Sequence, residues 1–135
     1  MEITIHADIR KLDTDYKKAL DEYIKRTSPY CKITLKTYKK FSALSLRDSS
    51  AKVAIIPGKN TISSPELADT ITNYNLNGIS HIEFIVPSSS EYETDDSWNT
   101  MNISSFSLNT ELAVVVLAEQ LYRAYTILNN ITYHK

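Results

Sequence analysis

A chain of 135 residues, 42% hydrophobic and 23% charged, has the length and composition of one globular domain with a real core, and no second domain or linker is visible in it. The net charge of −1 excludes a surface that is basic throughout, although a local patch can hide in a neutral total. The single cysteine, Cys31, excludes an internal disulfide and fits a reducing compartment; with no signal-like start and no apolar run long enough to cross a bilayer, the expected location is the cytoplasm, with no membrane partner.

Glu2 to Ala7 alternates apolar and polar residues, with Ile3 and Ile5 on one face, and is expected as a strand. Tyr16, Ala19, Leu20, Tyr23 and Ile24 at helical spacing predict a helix over Leu12 to Arg26, which Asp13 or Thr14 can cap and Pro29 ends. Lys32 to Tyr38 alternates again, with Ile33 and Leu35 inward, and its polar neighbours predict an edge strand. Residues 39–50 are a polar connection with a weak apolar centre. Ala51 to Ile56 is a short apolar strand closed by Pro57-Gly58. Ser63 or Ser64 then caps a helix with Pro65 near its first position and Glu66 beside it. This helix buries Leu67, Ala68, Ile71 and Tyr74 and stops at Gly78. Ile82 to Val86 is a mostly apolar strand ended by Pro87. Residues 88–103 are polar and acidic, with one helical turn expected around Trp98; Ser105 to Leu108 is expected as a last short strand and Glu111 to Asn129 as the final helix. The alternation of strands and helices, with few polar residues in the strands, predicts an α/β domain whose mainly parallel sheet has helices on both faces.

In such sheets ligands sit beyond the carboxyl ends of the strands, so the segments after Ile56, Val86 and Leu108 are the candidate site. The final helix leads to Tyr133-His134-Lys135, an aromatic, an imidazole and a cation that could position or deprotonate a base or bind phosphate; the plain alternative is an exposed tail.

Three stretches resemble a known family. MEITIHADIRKL with DYKKALDEYIKRTSPYCKI has its strand–helix–strand pattern, including the E-Y-x-K-R-x-x-P-Y run; IPGKNTISSPELA resembles its I-x-G-K-x-x-x-S-x-x-L-A motif; VVLAEQLYRAYTILNNITYHK resembles its V-x-x-x-E-Q-x-Y-R-A ending with a final Y-H-K or Y-H-R. The family is that of the small RlmH-like SPOUT methyltransferases, which modify a pseudouridine at N3 in bacterial 23S ribosomal RNA. The resemblance spans most of the chain, with Thr37 to Ser50 shorter than in the family, as if a helix were missing. It implies a single SPOUT domain over residues 1–135, a C-terminal trefoil knot, a homodimer, S-adenosylmethionine as cofactor, no metal, and ribosomal RNA as partner. Carried over residue by residue, the cofactor contacts fall on Ala54, Ile56 and Gly58, on Ser88, and on Ser104, Ser105, Phe106, Ser107, Leu108 and Asn109. The catalytic, RNA-facing tail is Tyr133, His134 and Lys135, and Lys59 and Arg123 are the RNA-binding candidates.

The sequence departs from the family at two places. Where the family has a G-G-x-x-G turn after the fourth strand, this chain has Pro87-Ser88-Ser89-Ser90-Glu91. Glycine permits close backbone approach to a cofactor, and proline has no N–H to donate. The carboxylates Glu91, Glu93, Asp95 and Asp96 follow, which suit a sulfonium and repel an RNA backbone. Where the family has a proline–histidine pair and then an arginine, this chain has Asn109-Thr110 and Val114. Both departures fall on the cofactor site, which reads as a preserved scaffold with an altered pocket, either still an rRNA methyltransferase or a non-enzymatic paralogue that binds rRNA or an intact methyltransferase subunit. Plain readings stand beside the sharper ones: Lys59 as an exposed turn lysine, and Arg123 as a helix-surface residue paired with Glu119. Ser88 to Ser90 lack a nucleophile elbow, and His6, His81 and His134 lack metal-ligand spacing.

Overall fold

The computed structural model describes residues 1–89 and 91–133. Strands β1 (Glu2–Ala7), β2 (Lys32–Thr37), β3 (Ala51–Ile55), β4 (His81–Val86) and β5 (Asn99–Met101) alternate with helices α1 (Thr14–Thr27), α2 (Ser64–Leu76) and α3 (Thr110–Leu128). The strands form one sheet in the order β2-β1-β4-β3-β5, parallel throughout. All six residues of β4 are buried, which is why HIEFIV reads as a nearly continuous apolar run.

One hydrophobic core lies between the sheet and the helices. Ile3, Ile5, Ala7, Ile82, Phe84 and Val86 face it from the central strands, and Val114, Leu117, Ala118 and Leu121 enter it from α3. Helix α3 packs against both α1 and α2. The three helices share one face because both crossovers, β1-α1-β2 and β3-α2-β4, step in the same direction across the sheet. The other face is covered as well, although not by an α-helix. Residues 38–50, with a single 3₁₀ turn at Phe41–Ala43, lie over it.

The helix ends are specified locally. Ser63 caps α2 by accepting the Glu66 N–H (3.2 Å) while the Glu66 carboxylate accepts the Ser63 N–H (2.9 Å), with a proline in the first turn. The helix ends in a Schellman motif in which Gly78, at φ +78°, donates to Asn75 and Ile79 donates to Tyr74. Helix α3 ends the same way, with Asn130 at φ 54° in the glycine position. Helix α1 starts two residues later than expected, because Leu12 leaves the helix to bury itself in the core.

Two sequence expectations are corrected. The last strand is Asn99–Met101, not Ser105–Leu108. Residues 105–108 alternate like a strand, but Phe106 is 79% exposed and the segment is a loop. No helical turn forms around Trp98: Asp95 accepts the Ser97 N–H and hydroxyl through its side chain and the Trp98 N–H through its carbonyl, making a tight turn into β5.

Candidate functional site

The carboxyl ends of β3 and β4 and the loop before α3 enclose a cleft of about 470 Å³, open mouth included. Ile55, Ile56 and Pro57 form one wall, Val86 to Ser89 a second, and Ile103, Ser104, Phe106, Ser107 and Leu108 a third, with Ala113 also lining it. Each wall is held by short-range bonding. The Asn102 side-chain amide donates to the Ile56 carbonyl (2.9 Å) and the Gly58 N–H donates to Ser104 (3.1 Å). A Cβ on Gly58 would run into the Asn102 amide, so glycine is required there for packing. The Ser88 hydroxyl (2.7 Å) and N–H (3.3 Å) both donate to Asp8, which follows β1. Asn109 caps α3 by accepting the Leu112 N–H (2.8 Å).

The structure therefore brings Ile56, Ser88, Ser104, Phe106, Ser107 and Leu108 together around one cleft. Ala54, Gly58, Ser105 and Asn109 do not line it: Ala54 is fully buried in β3, Gly58 packs under Asn102, Ser105 sits in the outer loop, and Asn109 is committed to its cap. Sequence reasoning missed Asp8 and Asn102, which hold the walls. The signal for Asp8 was a lone carboxylate directly after an apolar strand.

The walls mix apolar side chains, which suit a flat ring such as adenine, with the serines Ser88, Ser89, Ser104 and Ser107. Among the described residues, however, no charged side chain lines the cleft to pair with a carboxylate or amine. Pro87 offers no N–H, and Val114 is wholly inside the core, without access to the rim.

Tyr133 is not brought to this cleft. Tyr133 lies edge-on against Tyr122 with ring centres 4.9 Å apart and 5.2 Å from the Arg123 guanidinium. At 1.5 Å per residue, Tyr122 stands about 18 Å along α3 from Thr110 at the cleft end. Arg123 is paired with Glu119 through two bonds of 2.6 and 3.2 Å, and Lys59 is exposed in the turn after β3. His134 and Lys135, the rest of the expected tail, lie outside the described residues.

A second polar constellation occupies the opposite sheet face. His6 Nε2 lies 3.1 Å from Glu83, and His6 Nδ1 lies 2.6 Å from the Tyr38 hydroxyl. The other Glu83 oxygen accepts the Arg47 N–H (3.0 Å) and the Ser50 hydroxyl. Burial pushes His6 below its ordinary value against the pull of Glu83. The ring is thus neutral near pH 7, its Nε2–H donating to the carboxylate and its Nδ1 accepting from Tyr38. Burial works to raise Glu83, but the hydrogen bonds from Ser50, Arg47 and His6 outweigh it and hold the carboxyl below its ordinary value. These groups tie the shortened 38–50 connection to the sheet.

A parallel sheet with a loop-walled cleft ahead of its last helix is the architecture of the SPOUT methyltransferases. The family described as "Predicted SPOUT methyltransferase" matches residues 1–134, and the chain belongs to it. Within the family it is RlmH-like. It is 36% identical over 137 residues to "Ribosomal RNA large subunit methyltransferase H 1" of Thermoanaerobacter sp. (strain X514), each chain covered in full. It is 31% identical over 143 residues to "Ribosomal RNA large subunit methyltransferase H" of Mycoplasmopsis synoviae, covering 94% of this chain and 95% of that protein. A crystal structure of TrmJ from Z. mobilis shares the fold at a TM-score of 0.51 and 14% identity, covering 93% of this chain and 70% of that one.

Proposed function

We propose that this chain is an rRNA-binding member of the RlmH-like branch whose cofactor cleft no longer supports methyl transfer. The observation that carries this reading is the lining of the cleft: Pro87 stands in the turn after β4 without an N–H to donate, and among the described residues no cation lines the cleft to meet a carboxylate. Full-length similarity to proteins named as large-subunit rRNA methyltransferases supports ribosomal RNA as the partner. No helix is long and apolar enough to cross a membrane, and the cytoplasm is the compartment where that partner is found. The working form is a homodimer with the family's trefoil knot. Ile127, Leu128 and Ile131 leave apolar surface exposed at the end of α3, and Tyr133 packs beside Tyr122, about 18 Å along the helix from its cleft end, so a tail that serves a site would reach it across a subunit boundary.

Titration calorimetry with S-adenosylmethionine, run beside methyl transfer to ribosomes lacking the modification, tests the reading. The expected result is no heat at millimolar ligand and no methyl incorporation, with rRNA binding retained. Saturable heat together with methylated rRNA would overturn it in favour of the second reading, an active methyltransferase. That alternative rests on one observation, that the three expected segments still meet around an open cleft.

A further inference from the structure

The sheet face opposite the helices carries a groove that the cofactor cleft does not use. Lys32, Thr34 and Lys36 alternate outward along edge strand β2, in register with Glu2, Thr4 and His6 of β1. The groove is lined by these β2 residues together with Thr4, Arg47 and Glu83. Among the described residues, neither Lys32 nor Lys36 forms an ion pair. Arg47 is held by its backbone N–H to Glu83, which leaves its guanidinium free to face outward; its contact with Glu2 is 3.6 Å long and well exposed. The Glu83 carboxylate, which is buried, takes donors from His6, Arg47 and Ser50. Residues 32–52 hold six of the fifteen Lys and Arg residues of the chain and only one of its sixteen carboxylates. A near-neutral total therefore conceals a polarised surface.

We propose that this groove binds the phosphodiester backbone of RNA. The inference rests on the rRNA-binding reading above and names the surface that would do it. Lys32 and Lys36 are four strand residues apart, about 13 Å, which spans several phosphates of one strand. Besides the carboxylate of Glu2 at one end, beside Arg47, the groove presents lysine, arginine, threonine and serine and no aromatic ring, so it reads charge and not bases. The 38–50 connection covers the centre of this face and leaves the groove along β2 open beside it, while its anchor on Glu83 holds the Arg47 backbone in place.

The test is fluorescence-anisotropy titration of poly(U) and of a large-subunit rRNA fragment across a salt series, using wild type, K32Q/K36Q, R47Q, and the α1 control K18Q/K25Q. For wild type, log affinity falls with log salt, and K32Q/K36Q is expected to flatten that slope on poly(U) by about 1.4, with R47Q flattening it by about 0.7 and the control leaving it unchanged. Equal slopes for wild type and K32Q/K36Q would overturn the groove while leaving rRNA binding standing; the lysines would then serve only to guard the sheet edge. No RNA binding by wild type would overturn both. Poly-glutamate displacing RNA as well as poly(U) does at equal charge would assign the groove to acidic protein and overturn the RNA assignment. All the substituted side chains are on exposed residues, and thermal melts confirm that the variants are folded.

Discussion

Glu83 is the residue on which the second sheet face depends. Its carboxylate takes donors from a strand histidine, a loop backbone amide and a serine, all at least partly buried. Truncation to alanine leaves those donors without partners, at a cost on the order of 3 kcal/mol. Urea unfolding of Glu83→Ala at pH 7.5 measures this directly. Gly58→Ala makes a smaller claim. The new methyl displaces the Asn102 amide from the Ile56 carbonyl, which costs about 1 kcal/mol and disturbs the cleft wall. The same urea midpoints check it. The sequence held a signal for Glu83: a single carboxylate inside an apolar run can be buried only if it is paired. Its partners are scattered at positions 6, 47 and 50, however, and nothing in their spacing announces that they converge. Gly58 was legible as special from the motif, but its packing under Asn102 was not, because Asn102 is 44 residues away in sequence.

At the scale of elements, most of the architecture was readable because local chemistry and tertiary burial agree. The α2 start is the clearest example, where Ser63, Pro65 and Glu66 specify the same boundary three ways. Ser63→Ala removes one half of the reciprocal pair and lowers stability by about 1 kcal/mol, measured as a shift in urea midpoint, while Ser64→Ala, outside the cap, costs less. The exchanged strand assignment has an equally physical cause. Asn99–Met101 is polar and buries only Met101, so its strand identity comes wholly from pairing with β3. Ser105–Leu108 has the right alternation but pairs with no strand, and Phe106 stays in solvent. The 3₁₀ turn at Phe41–Ala43 was likewise invisible, because the contacts around it are largely distant in sequence: Tyr38 bonds His6, and Phe41 packs against Tyr92 as well as Tyr38.

For the whole molecule, the acid limb of stability follows from the buried pair. The folded value of His6 lies below its ordinary 6.5, so the unfolded chain takes up the proton first. The stability this represents is complete above about pH 6.5 and is lost as pH falls through the folded value. Glu83 is held below its ordinary 4.5, so its contribution is complete above about pH 4.5 and is lost at still lower pH. Urea midpoints should be flat from pH 8 to about 6.5 and fall below it, and His6→Phe should remove the upper part of that fall. The family, its knot and its dimer came from motif resemblance; periodicity and composition alone reach only an α/β domain. One arrangement has a consequence in time. Helix α3 follows every strand in the chain, yet it packs against both other helices and the central strands β1 and β4. During synthesis the sheet must wait with the apolar surface between α1 and α2 uncovered until residues 110–128 emerge. A product that stops before residue 110 should therefore collect in inclusion bodies and fail to persist as a smaller folded unit.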